Sequence, residues 1–86
     1  MFSVRLSRQA RRFYEAAQRS PAKKLARCFE RLEADPCQDP NVKVLKGQLA
    51  DCYRYRVGDY RIIYTIDEVH EIVHVLVIGH RSEVYK

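Results

Sequence analysis

The sequence predicts an α+β fold of order β-α-α-β-β-β, with a helical hairpin packed on one face of a mainly antiparallel four-stranded sheet. Three observations lead there. Two apolar stripes at helical spacing follow one another near the start, two runs of period two flank a Gly-Asp pair, and a nearly unbroken apolar run lies close to the end. Residues 1–6 come first: Phe2, Val4 and Leu6 alternate with other residues, the pattern of a short half-buried strand. Ser7 suits a helix N-cap, and Ala10, Phe13, Tyr14 and Ala17 follow at i, i+3, i+4 and i+7, which gathers them on one helical face. Ser20 and Pro21 repeat the start signal, Ser as N-cap and Pro at the first helical position. Ala22, Leu25, Ala26, Phe29 and Leu32 form the second stripe, which Asp35-Pro36 ends because a residue before proline is pushed out of the helical region. Residues 36–48, with two prolines and a glycine, read as a loop that admits a short extended piece at Lys43-Val44-Leu45. Then the period becomes two: Tyr53, Tyr55 and Val57 alternate with Arg54 and Arg56, and Tyr60, Ile62, Tyr64 and Ile66 with Arg61, Ile63 and Thr65. Gly58-Asp59 between these runs is a Gly-first hairpin turn signal. After a polar connection, Ile72-Val73-His74-Val75-Leu76-Val77-Ile78 is apolar on both faces, as a central strand would be.

At 86 residues the chain is one domain, 1–86. A domain of this size buries only roughly 60–65% of the surface its unfolded chain exposes, so every apolar stripe must serve one core. Residues 72–79, the longest apolar stretch, fall far short of the roughly 20 that a membrane-spanning helix needs, so no membrane association is expected. The alternating start lacks the basic region and apolar block of a secretory signal, and the cytoplasm is the expected location. Cys28, Cys37 and Cys52 are odd in number and never in a C-x-x-C pair, which argues against a disulfide framework or a zinc site. They read as reduced thiols packed as small apolar groups. No phosphate-binding G-x-x-x-x-G-K-[ST], no G-x-S-x-G and no H-E-x-x-H occurs, and neither a metal nor another cofactor is expected. The net charge is +5, and its distribution is uneven: residues 1–34 hold nine Arg/Lys against three Glu. Such a basic surface attracts phosphate or an acidic protein partner.

If Gly58-Asp59 is the turn, Val57 faces Tyr60 and Arg56 lies opposite Arg61. Arg54 then stands two residues along on that side, while Tyr53, Tyr55, Ile62 and Tyr64 point into the helices. Like charges directly across a strand pair are destabilising by some tenths of a kcal/mol, so three guanidinium groups gathered on an open face suggest an anionic ligand. Arginine binds phosphate in a fork geometry and keeps its charge at any physiological pH. The last strand leads out into His80, Arg81 and Tyr85, so a proton-transferring group and another guanidinium are expected near that face. Positive surroundings favour the phenolate of a tyrosine there. His74, within the apolar strand, is expected to be buried and hydrogen bonded to a tyrosine, and His70 to be exposed.

Lys46-Gly47, the run Tyr53-Arg54-Tyr55-Arg56-Val57-Gly58-Asp59-Tyr60-Arg61-Ile62-Ile63-Tyr64, and Gly79-His80-Arg81 with Glu83-Val84-Tyr85 together resemble the RelE branch of the RelE/ParE toxin superfamily. The likeness in element order extends along nearly the whole chain. It implies the toxin of a type II toxin-antitoxin system, a small ribonuclease that enters the ribosomal A site and cuts mRNA there, held in check by a cognate antitoxin protein. Residue by residue, the resemblance places Arg54 and Arg56 on mRNA phosphate, Arg61 on the scissile phosphate, Arg81 as transition-state stabiliser or leaving-group acid, and Tyr85 as general base. Lys43, Lys46 and His80 are expected to bind substrate. The segment between Gly79 and Tyr85 is shorter than in the best-known RelE toxins, which leaves His80 and Arg81 as alternatives for the acid, and the sequence stops at Lys86 with no helix after Tyr85. The implied chemistry is metal-independent transesterification by the ribose 2′-OH. Two other readings stand beside it: a ParE-like inhibitor of DNA gyrase, and a catalytically silent module that binds RNA or an antitoxin.

Overall fold

In the structure, a computed structural model that describes residues 1–47 and 51–82, the chain runs β1 (Ser3–Leu6), α1 (Arg8–Ala16), α2 (Arg19–Ala34), β2 (Val42–Val44), β3 (Tyr53–Val57), β4 (Tyr60–Asp67) and β5 (Ile72–His80). The strands form one sheet in the order β1-β5-β4-β3-β2. Pairing is antiparallel from β2 to β5 and parallel between β1 and β5. The α+β layer pair therefore stands, but among the described residues the sheet has five strands and is mixed. Alternation in residues 1–6 marks a strand without fixing its direction. The additional strand is the extended piece of the loop, where Val42, Lys43 and Val44 pair with Tyr55, Arg54 and Tyr53. Among the described residues, no helix is long and apolar enough to cross a membrane.

Ser7 caps α1 as its position suggests, its hydroxyl accepting from the Ala10 N–H at 3.1 Å. The same hydroxyl donates to the Leu76 carbonyl at 2.6 Å, and the Gln9 amide both donates to the Ile78 carbonyl at 2.8 Å and accepts its N–H at 3.0 Å. These bonds hold the first turn of α1 along β5. Helix α2 begins earlier than the Ser-Pro signal suggests, with Gln18 at the N-cap and Ser20-Pro21 inside the first turn. Proline is tolerated there because the amides of a first turn have no partner within the helix. Asp35 ends α2 in an extended conformation, and its carboxylate accepts the N–H groups of Cys37 and Gln38.

Leu25, Cys28 and Leu32 of α2 and Ala10 of α1 bury against Tyr55, Val57, Ile62, Tyr64, Val73, Val75 and Ile78 of the sheet. On β5 the inward residues are spaced by two between Val73 and Val75 but by three between Val75 and Ile78. A β-bulge opposite Ile63 and Tyr64 inserts one residue there. Tyr64, fully buried, stacks on Tyr53 with ring centroids 5.5 Å apart and donates its hydroxyl to the Pro36 carbonyl at 2.7 Å. Burial pushes the Tyr64 hydroxyl pKa well up, and pushes the Cys28 thiol up to about 12, which keeps it protonated and inert. The thiols are free, Cys28 and Cys52 buried and Cys37 exposed.

One polar hub ties α2, the loop and β3 together. Asp39 accepts from the Asn41 N–H at 2.9 Å, the Asn41 amide at 3.2 Å and the Tyr55 hydroxyl at 2.8 Å, with Arg31 at 3.5 Å. Burial opposes its charge, but these donors together hold its pKa below the usual carboxylate value. A carboxyl depressed in the folded state stabilises the fold above its unfolded pKa, near 4, and that contribution is lost as pH falls through the folded value. Asp39→Ala is therefore expected to lower stability at neutral pH by about 1–3 kcal/mol. Thermal melts from pH 7 down to pH 2 should show the variant and the wild type converging at the acidic end.

Candidate functional site

Each side chain on the sheet face turned away from the helices is set there by strand register. Arg56 pairs with Arg61, and Arg61 in turn with Gly79. One step along, Lys43 pairs with Arg54, Arg54 with Ile63, and Ile63 with Val77. A third row holds Arg5, His74 and Thr65. The turn that produces this register has its positive φ at Gly58, +57°, where glycine has no steric cost. Lys43 and Arg56 are exposed, while Arg54 and Arg61 are half-buried.

Arg54 has an unusual surrounding. Its Nε is buried and makes no hydrogen bond among the described residues, and its cross-strand neighbour Ile63 is only 3% exposed. A buried charged donor without an acceptor costs about 1–3 kcal/mol or more, so an acceptor arriving at this point recovers that deficit. Arg61 turns its guanidinium back onto the hairpin, where Nη1 donates to the carbonyls of Gly58 at 3.0 Å and Tyr60 at 2.9 Å. Arg81 reaches the same turn by its backbone, its N–H donating to the Asp59 carbonyl at 2.8 Å. The structure thus gathers Arg54, Arg56 and Arg61 with Lys43 on one face and brings Arg81 to its upper end. Lys46 is exposed beyond β2, and Tyr85 lies outside the described residues.

His80 is placed differently from the arginines. It pairs with Tyr60, and its ring meets the Tyr60 ring edge-on at 5.9 Å, while Tyr60 meets Phe13 of α1 at 5.7 Å. This is the helix side of the sheet. His74 departs from its expected burial: it is half-buried on the arginine side, between Arg5 and Thr65, whereas Tyr53, Tyr55 and Tyr64 occupy the helix side. It makes no hydrogen bond to a tyrosine among the described residues. His70 is exposed as expected, and its bonds to Asp67 lower that carboxyl's pKa. Arg5 and His74 are members of the face that sequence reasoning did not assign to it. The signal for Arg5 was present, since Phe2, Val4 and Leu6 facing inward oblige Arg5 to face outward. Among the described residues, no group of three His, Cys, Asp or Glu could hold a metal.

The sequence model of the family described as ParE toxin of type II toxin-antitoxin system, parDE, matches residues 4–85. The chain belongs to this toxin family. Toxin RelG of Mycobacterium tuberculosis is 32% identical to the toxin over 87 residues, covering 99% of this chain and 97% of that protein. Toxin RelE of the same organism is 35% identical over 71 residues, covering 80% and 73%. Among solved structures, the RelBE2 toxin-antitoxin complex from Mycobacterium tuberculosis superposes with a TM-score of 0.82 at 28% identity, covering 93% of the toxin and 98% of that chain. The isolated Escherichia coli RelE toxin, at 22% identity, shares the fold with a TM-score of 0.78 over 99% of this chain and 92% of that one. The toxin is thus a member of the RelE/ParE superfamily.

Arg56 stands directly opposite Arg61 across the hairpin, a like-charge pairing whose effect on stability can be read by substitution. Arg56→Ala is expected to raise the thermal midpoint by roughly 1–3 °C at low ionic strength, the effect of a few tenths of a kcal/mol on a domain this small. In 1 M salt, where the Debye length is about 3 Å, calorimetry should find the gain largely gone.

Proposed function

We propose that this toxin is a ribosome-dependent endoribonuclease that cuts mRNA in the A site by metal-independent transesterification. The supporting observation is the arginine array on the sheet face away from the helices, with a buried unsatisfied donor at Arg54 and Arg56 set opposite Arg61. The Arg54 donor costs stability without an acceptor and gains from one, and guanidinium forks match phosphate oxygens. In the reaction, the ribose 2′-oxygen forms a bond to the adjacent phosphorus and the bond from phosphorus to the 5′-oxygen breaks. Tyr85 takes the 2′-OH proton, and an acid returns one to the departing 5′-oxygen. Arg61 holds the charge of the phosphorane, Arg54 and Arg56 hold flanking phosphate, and Lys43 and Lys46 extend the binding surface. The location of His80 on the helix side favours Arg81 over His80 beside the leaving group. The ribosome supplies the in-line geometry that a shallow face cannot impose alone. The partner that restrains the activity is a small antitoxin with an acidic or amphipathic helical segment, as the basic first third of the toxin and the antitoxin-bound state of the RelBE2 toxin suggest.

Primer extension on mRNA in a translating extract tests the reading. Arg61→Ala should lower the single-turnover cutting rate roughly 10²–10³-fold, the loss typical of one oxyanion donor, while the protein stays folded. Tyr85→Phe should cost about 10²–10⁴-fold with little change in ribosome binding, because it removes a proton acceptor and keeps the ring. Wild-type cutting by Tyr85→Phe together with no cutting by His80→Ala would transfer the base to His80.

The match to the ParE toxin family favours, as the second reading, a ParE-like inhibitor of DNA gyrase. On expression without antitoxin, intact mRNA together with collapsed DNA supercoiling would select it.

Co-purification with the product of the neighbouring reading frame should recover the antitoxin in a complex burying about 1,200–2,000 Å² or more. A soluble, non-toxic chain that binds nothing would refute the toxin's proposed partnership.

A further inference from the structure

Outside the arginine face, a cleft of about 170 Å³ opens between α2 and β3. Its lining includes Lys24, Arg27, Arg31 and Arg56, with the Asn41 amide, over the buried Cys28. The three cations of α2 stand at i, i+3 and i+7, on one helical face, and at about 1.5 Å per residue they line up over roughly 10 Å. Lys24 reaches across toward the hairpin, its Nζ only 3.9 Å from where a Cβ on Gly58 would stand. Pairing between β2 and β3 covers Tyr53 to Tyr55, and Arg56 lies just past it, its N–H on the Asn41 carbonyl at 3.1 Å. Arg56 is therefore shared between the cleft and the row that holds Arg61. Of these four cations, Arg31 has a carboxylate, Asp39 at 3.5 Å, while Lys24, Arg27 and Arg56 have none within 4 Å among the described residues. A neighbouring groove carries the line on through Lys23 to Arg19.

The geometry points to a second RNA contact: the cleft holds successive backbone phosphates away from the bond that is cut, and α2 carries the strand onward from Arg27 to Arg19. This rests on reading the toxin as acting on RNA. Regularly spaced cations in a line, joined through Arg56 to the arginine face, fit a polymer that bears one charge per unit. Tyr55, Val57 and Cys28 also line the cleft, but the groove beyond it is lined by Arg19, Ser20, Lys23, Lys24 and Arg27, so the line of cations, rather than an apolar pocket, runs the length of the surface.

The test is fluorescence anisotropy of the full chain with a 2′-O-methyl RNA dodecamer, which has no free 2′-OH to react. Lys24→Gln/Arg27→Gln should weaken binding roughly tenfold at low salt and make the slope of log K against log salt shallower by about 1.4, two phosphate contacts at about 0.7 each. Arg11→Gln/Arg12→Gln removes the same charge from α1 and should leave the slope within about 0.3 of wild type. Equal losses in both double variants would mean net charge alone and would overturn the proposal. So would an unchanged slope in the first variant, no binding by wild type, or an acidic peptide that binds wild type more tightly than the dodecamer does and loses that affinity in Lys24→Gln/Arg27→Gln. Lys24→Arg/Arg27→Lys, which restores the charges, should restore the slope, and melting curves confirm that each variant is folded. Oligonucleotide binding through the cleft by a protein that leaves ribosomal mRNA uncut would sustain this site and remove the ribonuclease reading.

Discussion

Side chains on a strand alternate between faces, so the pairing of Val57 with Tyr60 across Gly58-Asp59 commits every residue of β3 and β4 to a side at once. Apolar Tyr55, Val57, Ile62 and Tyr64 must meet the helices, and their burial makes any slip by one residue prohibitive. The arginines take the remaining side because the tyrosines and isoleucines take theirs. Arg56 opposite Arg61 is then not a packing accident: the core beneath holds the pairing in place, while the Arg61 guanidinium turns back onto the hairpin.

That dependence explains how a small domain can keep a concentrated charge array in fixed register. The opposing cost is tenths of a kcal/mol per like-charged pair, whereas exposing a buried Ile or Tyr costs about 1.5–3 kcal/mol or more. The Asp39 hub adds a second restraint. It binds Tyr55 on β3 and sits beside Arg31 of α2, so the strand bearing Arg54 and Arg56 is fastened to the helical layer from its inner side. Tyr64, bonded to the Pro36 carbonyl, does the same for β4.

Much of this was legible in the residues. The Gly-Asp turn yields the register of β3 with β4 pair by pair, and Ser7 announces the cap of α1. What escaped has a physical cause in each case. Residues 36–48 have the composition of a loop, and three paired residues are too few for alternation to reveal β2. In β5, Leu76 and Val77 are both apolar, so the extra residue of the bulge leaves no mark on the pattern. Unbroken alternation would put His74 and His80 on one face; the bulge puts them on opposite faces. The placement of His80 thus turns on a single inserted residue that hydropathy cannot locate. The expected hydrogen bond of His74 failed for a related reason, since the tyrosines lie across the sheet from it.

The double bond between the Gln9 amide and Ile78 has a consequence for how the sheet ends. Strand β1 covers β5 along Ile72 to Val75, and beyond that point a bare ladder would begin. A carboxamide carries the same donor and acceptor as a peptide group, so Gln9 acts there as one residue's worth of a further strand. The opposite edge is managed by other means, with β2 only three residues long and Lys43 at its centre. Short length and a central lysine both discourage a second chain from adding to an edge. The stretch of β5 beyond β1 is covered by a side-chain mimic of the backbone and the β2 border is guarded by brevity with charge, so substitutions at one leave the protection of the other intact.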